Sequence, residues 1–411
     1  MHGRVLLLGA GGTGAMAARA LSHFDAVTGL VVADPDRNAA ARTALACRAD
    51  AEATVVDATD HAALVGLMGR ADVVLNCLSP ASRSCLPVLR AAIEAGTDVL
   101  DLCDDPDAAC DMLDCDAEAR RAGVTAVIGM GASPGVSGML AACVVSRLDS
   151  IERLVVGWNI EEAADAPLPF AADAAYWITQ CTGAIPECRD GALAEGAPLS
   201  DLPIAYPGRG RRVLYSVGHP EAVTFHYSWP EVREARCGLV MPAAWIGPLR
   251  KLREETDAGA MNVEQAGRRL AALATGDGWL EDMVASLTHL VDGPRLPHCF
   301  VLGEGVRDGE KRTVAASLAA MPPDAASMAG VPLALGALLH LRGQTPGPGV
   351  MAPERAFEPE AFFRLFAPYC TLPGPCPANR LIAMAEAATA QEQTSTQRVE
   401  KKALLLAASP Q

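Results

Sequence analysis

Gly9-Ala10-Gly11-Gly12-Thr13-Gly14 lies between the apolar run Arg4-Val5-Leu6-Leu7-Leu8 and the helix-forming run Ala15-Met16-Ala17-Ala18-Arg19-Ala20-Leu21. A glycine loop therefore joins a buried strand to a helix, and Gly9, Gly11 and Gly14 stand at the positions of a Gly-x-Gly-x-x-Gly pattern. Each has a separate physical duty. Gly9 turns the chain sharply off the strand, Gly11 lets a pyrophosphate approach the backbone, and Gly14 lets the helix lie close to the sheet. The free N–H groups of the helix start then face the phosphates with a partial positive charge. Gly12 and Thr13 complete the cradle with Ala10.

Working outward, a second apolar run, Leu30-Val31-Val32-Ala33, ends in Asp34. That acid falls about twenty residues beyond the loop, where a dinucleotide fold holds the adenosine ribose. A carboxylate there accepts from a ribose diol and repels a 2′-phosphate, which favours NAD. Arg37 could pair with such a phosphate or stand in solvent at a helix start, so NADP stays open.

The alternation continues through a dinucleotide-binding domain expected over 1–133. Thr54-Val55-Val56, Asp72–Cys77, Asp98–Leu102 and Thr125–Ile128 read as further strands. Helices are expected over Asn38–Leu45, with Asn38 as cap, and over His61–Met68, Cys85–Ala95 and Ala108–Ala122. Six such alternations specify a Rossmann-type, doubly wound parallel α/β sheet whose ligands bind beyond the carboxyl ends of the strands. Those ends are Gly9–Gly14, Asp34, Asp57, Asn76–Pro80, Asp101–Cys103 and Gly129–Gly135.

The 411 residues leave room for two or three domains, and the formal net charge of −15 speaks against nucleic acid or an anionic membrane surface. Thirteen scattered cysteines without a Cys-x-x-Cys point to reduced thiols in the cytoplasm, with no metal site. No apolar run approaches the roughly 18 residues that span a bilayer.

The chain resembles the saccharopine dehydrogenase-like family, which also holds lysine 6-dehydrogenase and carboxynorspermidine dehydrogenase. The likeness rests on Gly9–Gly14, Ala33–Arg37, Val56–Asp60, Ala71–Asn76, Ala95–Asp101 and, most specifically, Gly129-Met130-Gly131-Ala132-Ser133-Pro134-Gly135-Val136-Ser137. Gly218–Thr224 and Gly349–Glu354 add to it. The resemblance implies an NAD(P)-dependent oxidoreductase acting on a carbon–nitrogen bond of an amino acid, polyamine or related metabolite. It places Asp57 and Ala58 at the adenine, and Asn76, Cys77, Leu78 and Ser79 by the nicotinamide. Asp101–Cys103 and Gly131–Gly135, with Ser133 and Pro134, fall at the junction with substrate. Gly138 departs from the Asn of many relatives.

An α+β substrate or dimerisation domain is expected over 134–325. Its strands are read at Val213–Val217, Ala222–Trp229, Cys299–Val306 and Arg312–Leu318, the last two joined by the hairpin signal Asp308-Gly309. Helices are read at Glu264–Thr275 and Leu280–Val291. Strand alternation would set Glu221, Val223, Phe225 and Tyr227 on one face with His219 in phase, making Glu221 and Tyr227 candidate substrate contacts. The apolar run Met328–Arg342 is interrupted by Gly330, Pro332 and Gly336, Gln344–Pro353 reads as loop, and residues 326–386 return to the first domain, with 387–411 a tail. A Cys370–Cys376 disulfide is disfavoured. Asp101 is the first candidate for stabilising a cationic imine, with a cap or ribose contact as the alternative; Cys103 and His219 are further catalytic candidates. The partners expected are a small-molecule substrate and a second copy in a homodimer. The sequence leaves open C=O reduction and a non-catalytic dinucleotide-binding sensor.

Overall fold

Short apolar runs separated by alanine-rich helices form a seven-stranded parallel sheet in the computed structural model, which describes residues 2–47, 51–160, 170–241, 243–275, 295–371, 374 and 377–389. Six of its strands are β1 (Gly3–Leu8), β2 (Val27–Ala33), β3 (Ala51–Thr54), β4 (Val73–Asn76), β5 (Asp98–Asp101) and β6 (Thr125–Val127), and the seventh comes from the C-terminal part. Their order is β3-β2-β1-β4-β5-β6, so the switch point lies between β1 and β4. Val5, Leu7, Leu75 and Leu100 pack on one side of the sheet and Leu6, Leu8, Val74 and Val99 on the other. Period two thus distributes an unbroken apolar run between two helix layers, as parallel sheets require.

The second half forms a mixed sheet around β7 (Ser150–Asn159). β8 (Ile185–Arg189) and β9 (Ala192–Gly196) form a side ribbon on β12 (Glu234–Val240). β10 (Asp201–Tyr206) and β11 (Gly210–Val217) continue beyond β12, while β13 (Cys299–Arg307) and β14 (Glu310–Leu318) lie on the other side of β7. Asp308 and Gly309 both take positive φ, 53° and 77°, as their tight turn requires.

The C-terminal part serves both sheets. β15 (Gly349–Met351) pairs in parallel with β6, and β16 (Ile382–Ala388) pairs antiparallel with β14. Between β14 and β15, the helix Ala325–Leu341 runs through Gly330, Pro332 and Gly336 without a break. It is apolar all round and buried accordingly. A Cβ at Gly330 would run into the backbone of the helix Gly12–Leu21, so this glycine is a place of close helix approach and not an interruption.

Several expected elements are corrected. The strand read over Ala222–Trp229 is a helix, Glu221–Ser228: Pro220 takes helical angles just before it, and Glu221 sits in the first turn. The cap before Arg37–Leu45 is Asp36, whose side chain accepts from the Asn38 amide, and not Asn38. β3 ends at Thr54, without Val55 and Val56. The helix read over Ala108–Ala122 is two helices, Pro106–Asp114 and Asp116–Ala122, meeting at Cys115. The loop expected at Gln344–Pro353 contains β15. Residues 382–386, expected on the first domain, and 387–388, expected as the start of the tail, instead form β16 on the second sheet, whose edge strand β14 offers the hydrogen bonds; the helix expected at Leu280–Val291, Cys376 and the rest of the tail, 390–411, lie outside the described residues.

Candidate functional site

At the first turn of the fold, Gly9 has φ +94°, and a Cβ there would meet the Cys77 carbonyl oxygen at 2.9 Å. A Cβ at Gly14 would strike the Gly9 carbonyl. The protein's own packing therefore demands both glycines. Gly11 differs: a Cβ there would meet nothing within 4 Å. Open space above an exposed glycine, at a helix start with no side-chain cap and no acid in its first turn, is what a diphosphate needs. The residues present fit a dinucleotide.

Asp34 ends β2 and accepts the Ala10 amide at 2.7 Å through Oδ2 and the Asp36 amide at 2.8 Å through Oδ1. It pins the glycine loop while remaining part-exposed, with lone pairs left for a ribose hydroxyl. Arg37 is exposed one helix turn away from this end. Asp57 is exposed, and the Thr59 amide and hydroxyl hold its carboxyl below the ordinary value; Ala58 beside it is half-buried. Asn76 is buried and accepts the Leu78 amide at 3.1 Å, shaping the turn of Cys77, Leu78 and the exposed Ser79.

Asp101 is 2% exposed, and its Oδ1 accepts the amides of Cys103 at 3.0 Å and Gly129 at 2.8 Å. Burial lifts its carboxyl to about 6 against the pull of those two amides. Its visible work is to clamp the ends of β5 and β6 together. Cys103 is buried, its thiol directed to the Asp105 carbonyl.

Beyond β6, the Gly131 amide bonds to the Pro134 carbonyl at 3.0 Å and closes a loop that starts the helix Val136–Val145. This presents Ser133 and Ser137, four residues apart, to one carboxylate oxygen. Both hydroxyls donate to Glu221 Oε1, Ser137 at 2.6 Å. Glu221 Oε2 faces His219 Nδ1 at 2.5 Å and the Cys237 thiol at 3.9 Å. His219 Nε2 in turn meets the Tyr176 hydroxyl at 3.0 Å, and Trp158 Nε1 donates to Ser133 Oγ at 3.0 Å.

Glu221 is wholly buried. Burial opposes its charge, but His219 and the two serine hydroxyls prevail and hold it at about 2. His219 is moved upward: burial works against its proton, and Glu221, then Asp104, overcome it. The half-buried Asp104, just past β5, is itself raised by burial while His219 pulls it down. The loop beyond β6 is thus tied to a helix packed on β12 by two serine hydroxyls on a carboxylate that is itself paired with His219.

Of the expected residues, Ser133, His219 and Glu221 come together here, with Gly131 and Pro134 forming their loop. Tyr227 does not join them. In the helix Glu221–Ser228 every residue but His226 and Tyr227 is buried, and Tyr227 is turned to solvent, 45% exposed. Ser137, Trp158 and Asp104 complete the cluster without having been singled out, since each comes from a different element, and Tyr176 joins them from Phe170–Gln180, a helix whose aromatic face the sequence offers either to the pocket or to the core. The signal that was available is Pro220-Glu221, a helix start that puts His219 and Glu221 at a bend.

Residues 5–127 match the family described as saccharopine dehydrogenase NADP binding domain. The chain is 27% identical over 384 residues to carboxyaminopropylagmatine dehydrogenase from Synechocystis sp., covering 87% of this chain and 94% of that protein. In fold it is similar to apo saccharopine dehydrogenase (L-Glu forming) from Saccharomyces cerevisiae, with a TM-score of 0.62 at 17% identity over 94% of this chain and 100% of that one. Homospermidine synthase from Legionella pneumophila, solved in complex with NAD, gives a TM-score of 0.54 at 11% identity over 95% of this chain and 92% of that one.

Proposed function

We propose that this chain, whose residues 5–127 match the saccharopine dehydrogenase NADP binding domain family, is an NAD(P)-dependent oxidoreductase that transfers hydride at the carbon–nitrogen bond of a polyamine- or amino-acid-derived secondary amine. The observation that carries this reading is the His219–Glu221 pair, buried at the mouth of the first sheet and continued by Tyr176. A bound nicotinamide supplies a hydride acceptor or donor at that mouth.

The chain's residues supply the rest. The start of the helix Gly12–Leu21 holds the diphosphate, Asp34 accepts from the adenosine ribose, Asp57 and Ala58 border the adenine, and Asn76–Ser79 flank the nicotinamide. Oxidising an amine to an imine removes one hydride from carbon and one proton from nitrogen. As the Tyr176 hydroxyl takes that proton it passes its own to His219 Nε2, where the proton is held as an imidazolium whose orientation and charge Glu221 fixes and balances through Nδ1. Asp104, facing His219, adds negative potential where the cationic imine develops. Asp101 and Cys103 shape the loop from within. Asp34 supports NAD over NADP, although the matching family is named for NADP; parallel titration with both cofactors decides the choice.

The test is His219→Gln assayed against carboxyalkylated polyamines, secondary amino acids and carbonyl analogues. Turnover of a C–N substrate should fall about 10²- to 10⁴-fold with cofactor affinity retained. Unchanged turnover removes the relay, and activity on carbonyls alone removes the C–N assignment.

Among the described residues no helix is long and apolar enough to cross a membrane. A cytoplasmic homodimer that does not bind nucleic acid remains part of this proposal, supported by the reduced-thiol composition and net charge; light scattering tests the dimer.

A further inference from the structure

Glu354 plays no part in the machinery above, yet it is 7% exposed and lies just behind it. It belongs to the short helix Pro353–Ala356 that follows β15. Its Oε1 accepts from Ser228 Oγ at 3.0 Å, while Oε2 is buried without a hydrogen-bond partner among the described residues. Thr224, one turn before Ser228, lies near enough to pull on the same carboxyl, but its Oγ1 forms no hydrogen bond among the described residues. Thr224 and Ser228 share the buried face of the helix whose first residue is Glu221.

The surroundings offer this carboxyl no compensating charge. The helix Val136–Val145 presents Ser137 and Gly138 and contains no charged residue. On Glu221–Ser228 the charged neighbour is Glu221 itself, whose influence on Glu354 is repulsive; His226 is directed to the Cys188 thiol, and Tyr227 is turned to solvent. On its own helix, Arg355 is exposed. Among the described residues Glu354 has no ion pair. Its Oε2 occupies the space beside Gly138, where a Cβ would collide with it. The missing side chain at 138 is therefore the room that Glu354 fills. An uncompensated charge there is far costlier than a neutral acid.

We propose that Glu354 is a positioning residue of this site, an uncharged carboxylic acid that docks the helix Glu221–Ser228 through Ser228 and so aims Glu221 at His219 without setting a second negative charge behind it. The functional half of this statement rests on the reading of His219–Glu221 as the working pair; the uncharged state does not.

Burial lifts the Glu354 carboxyl from its ordinary 4.5 to about 7, and the Glu221 charge adds to the rise. The folded protein then binds this proton more tightly than the unfolded chain does. Its contribution to stability falls as pH rises from 4.5 to about 7 and is level beyond. Glutamine is neutral, of the same shape, and escapes that loss.

Thermal unfolding of Glu354→Gln and wild type near pH 5 and pH 8 tests the state without any substrate. The Gln variant should melt above wild type near pH 8, and the advantage should vanish near pH 5. A variant that melts lower than wild type near pH 8 overturns the proposal. The second arm is turnover against pH. Wild type should lose activity as Glu354 ionises, Glu354→Gln should keep its rate across that range, and Glu354→Ala should lose rate throughout with cofactor affinity retained. Equal rates for Ala and wild type would overturn the positioning role. If wild type turns over no C–N substrate while the melting behaviour holds, the proposed chemistry fails and the uncharged Glu354 stands; if turnover holds and the melting behaviour fails, Glu354 alone falls.

Discussion

The glycine loop and the Glu221 cluster solve opposite problems. The loop gathers six consecutive residues, Gly9–Gly14, and works with backbone: room for a ligand, and the free amides of a helix start. The cluster gathers Ser133, Ser137, Trp158, Tyr176, His219, Glu221 and Cys237 and works with side chains. The loop needs only local geometry, so its chemistry is written in adjacent letters. The cluster exists because a loop after β6, two strands of the other sheet, three helices and the turn at His219 meet around one carboxylate. A backbone site tolerates little substitution at its own positions but depends on few neighbours; a side-chain cluster depends on each of its members.

The widest break in this comparison is expected at Glu221. Glu221→Ala leaves His219 and two hydroxyls around an empty site, costing about 3–5 kcal/mol of stability, the usual loss when one partner of a buried pair is removed. Unfolding in denaturant measures it, and a loss near zero would show that the cluster is not a structural unit. Turnover should fall at the same time, with dinucleotide affinity preserved.

The loop itself can be dissected with two bulky substitutions. Gly11→Val should lower cofactor affinity by about 100-fold or more, a loss near 2.7 kcal/mol, and leave the melting temperature unchanged, because no protein atom lies within 4 Å of the new Cβ. Gly14→Val should lose affinity and stability together, since its Cβ strikes the Gly9 carbonyl; overpacking of this kind costs about 1–3 kcal/mol. Fluorescence titration and calorimetry on both variants separate ligand room from packing. Equal behaviour of the two would erase the distinction.

The smallest effect is expected at Asp101, which belongs to neither region and clamps the ends of β5 and β6. Asn keeps an oxygen for the Cys103 and Gly129 amides, so Asp101→Asn should change turnover by no more than several-fold, about 1 kcal/mol of barrier. Its stability should instead change with pH. The wild-type carboxyl is raised by burial from 3.8 to about 6, so its contribution falls as pH rises across that window and is level above it. The Asn variant should lack this slope in a series of melts. A large loss of turnover would return Asp101 to the chemistry.

The first sheet was legible because Val5–Leu8, Leu30–Ala33 and Val73–Leu75 are unbroken apolar runs punctuated by glycine and acid at regular intervals. The helix Glu221–Ser228 was misread because Ala-Val-Thr-Phe suits a strand as well as a helix over so short a span, and packing onto β12 decided between them. That error carried Tyr227 into the site on the wrong periodicity. β15 and β16 were missed because their strand character comes from the partner edges they cover, at β6 and β14, and not from their own composition.

By itself the sequence determined the dinucleotide cradle, the parallel order that follows from it and the likeness to enzymes of carbon–nitrogen chemistry, because each depends on spacing along a single segment. Only the tertiary structure decided that Asp101 turns inward to clamp two strands, that Glu221 gathers two serines and a histidine, and that Glu354 occupies the room left by Gly138. Those outcomes depend on which buried group finds a partner, and burial is a property of the folded whole.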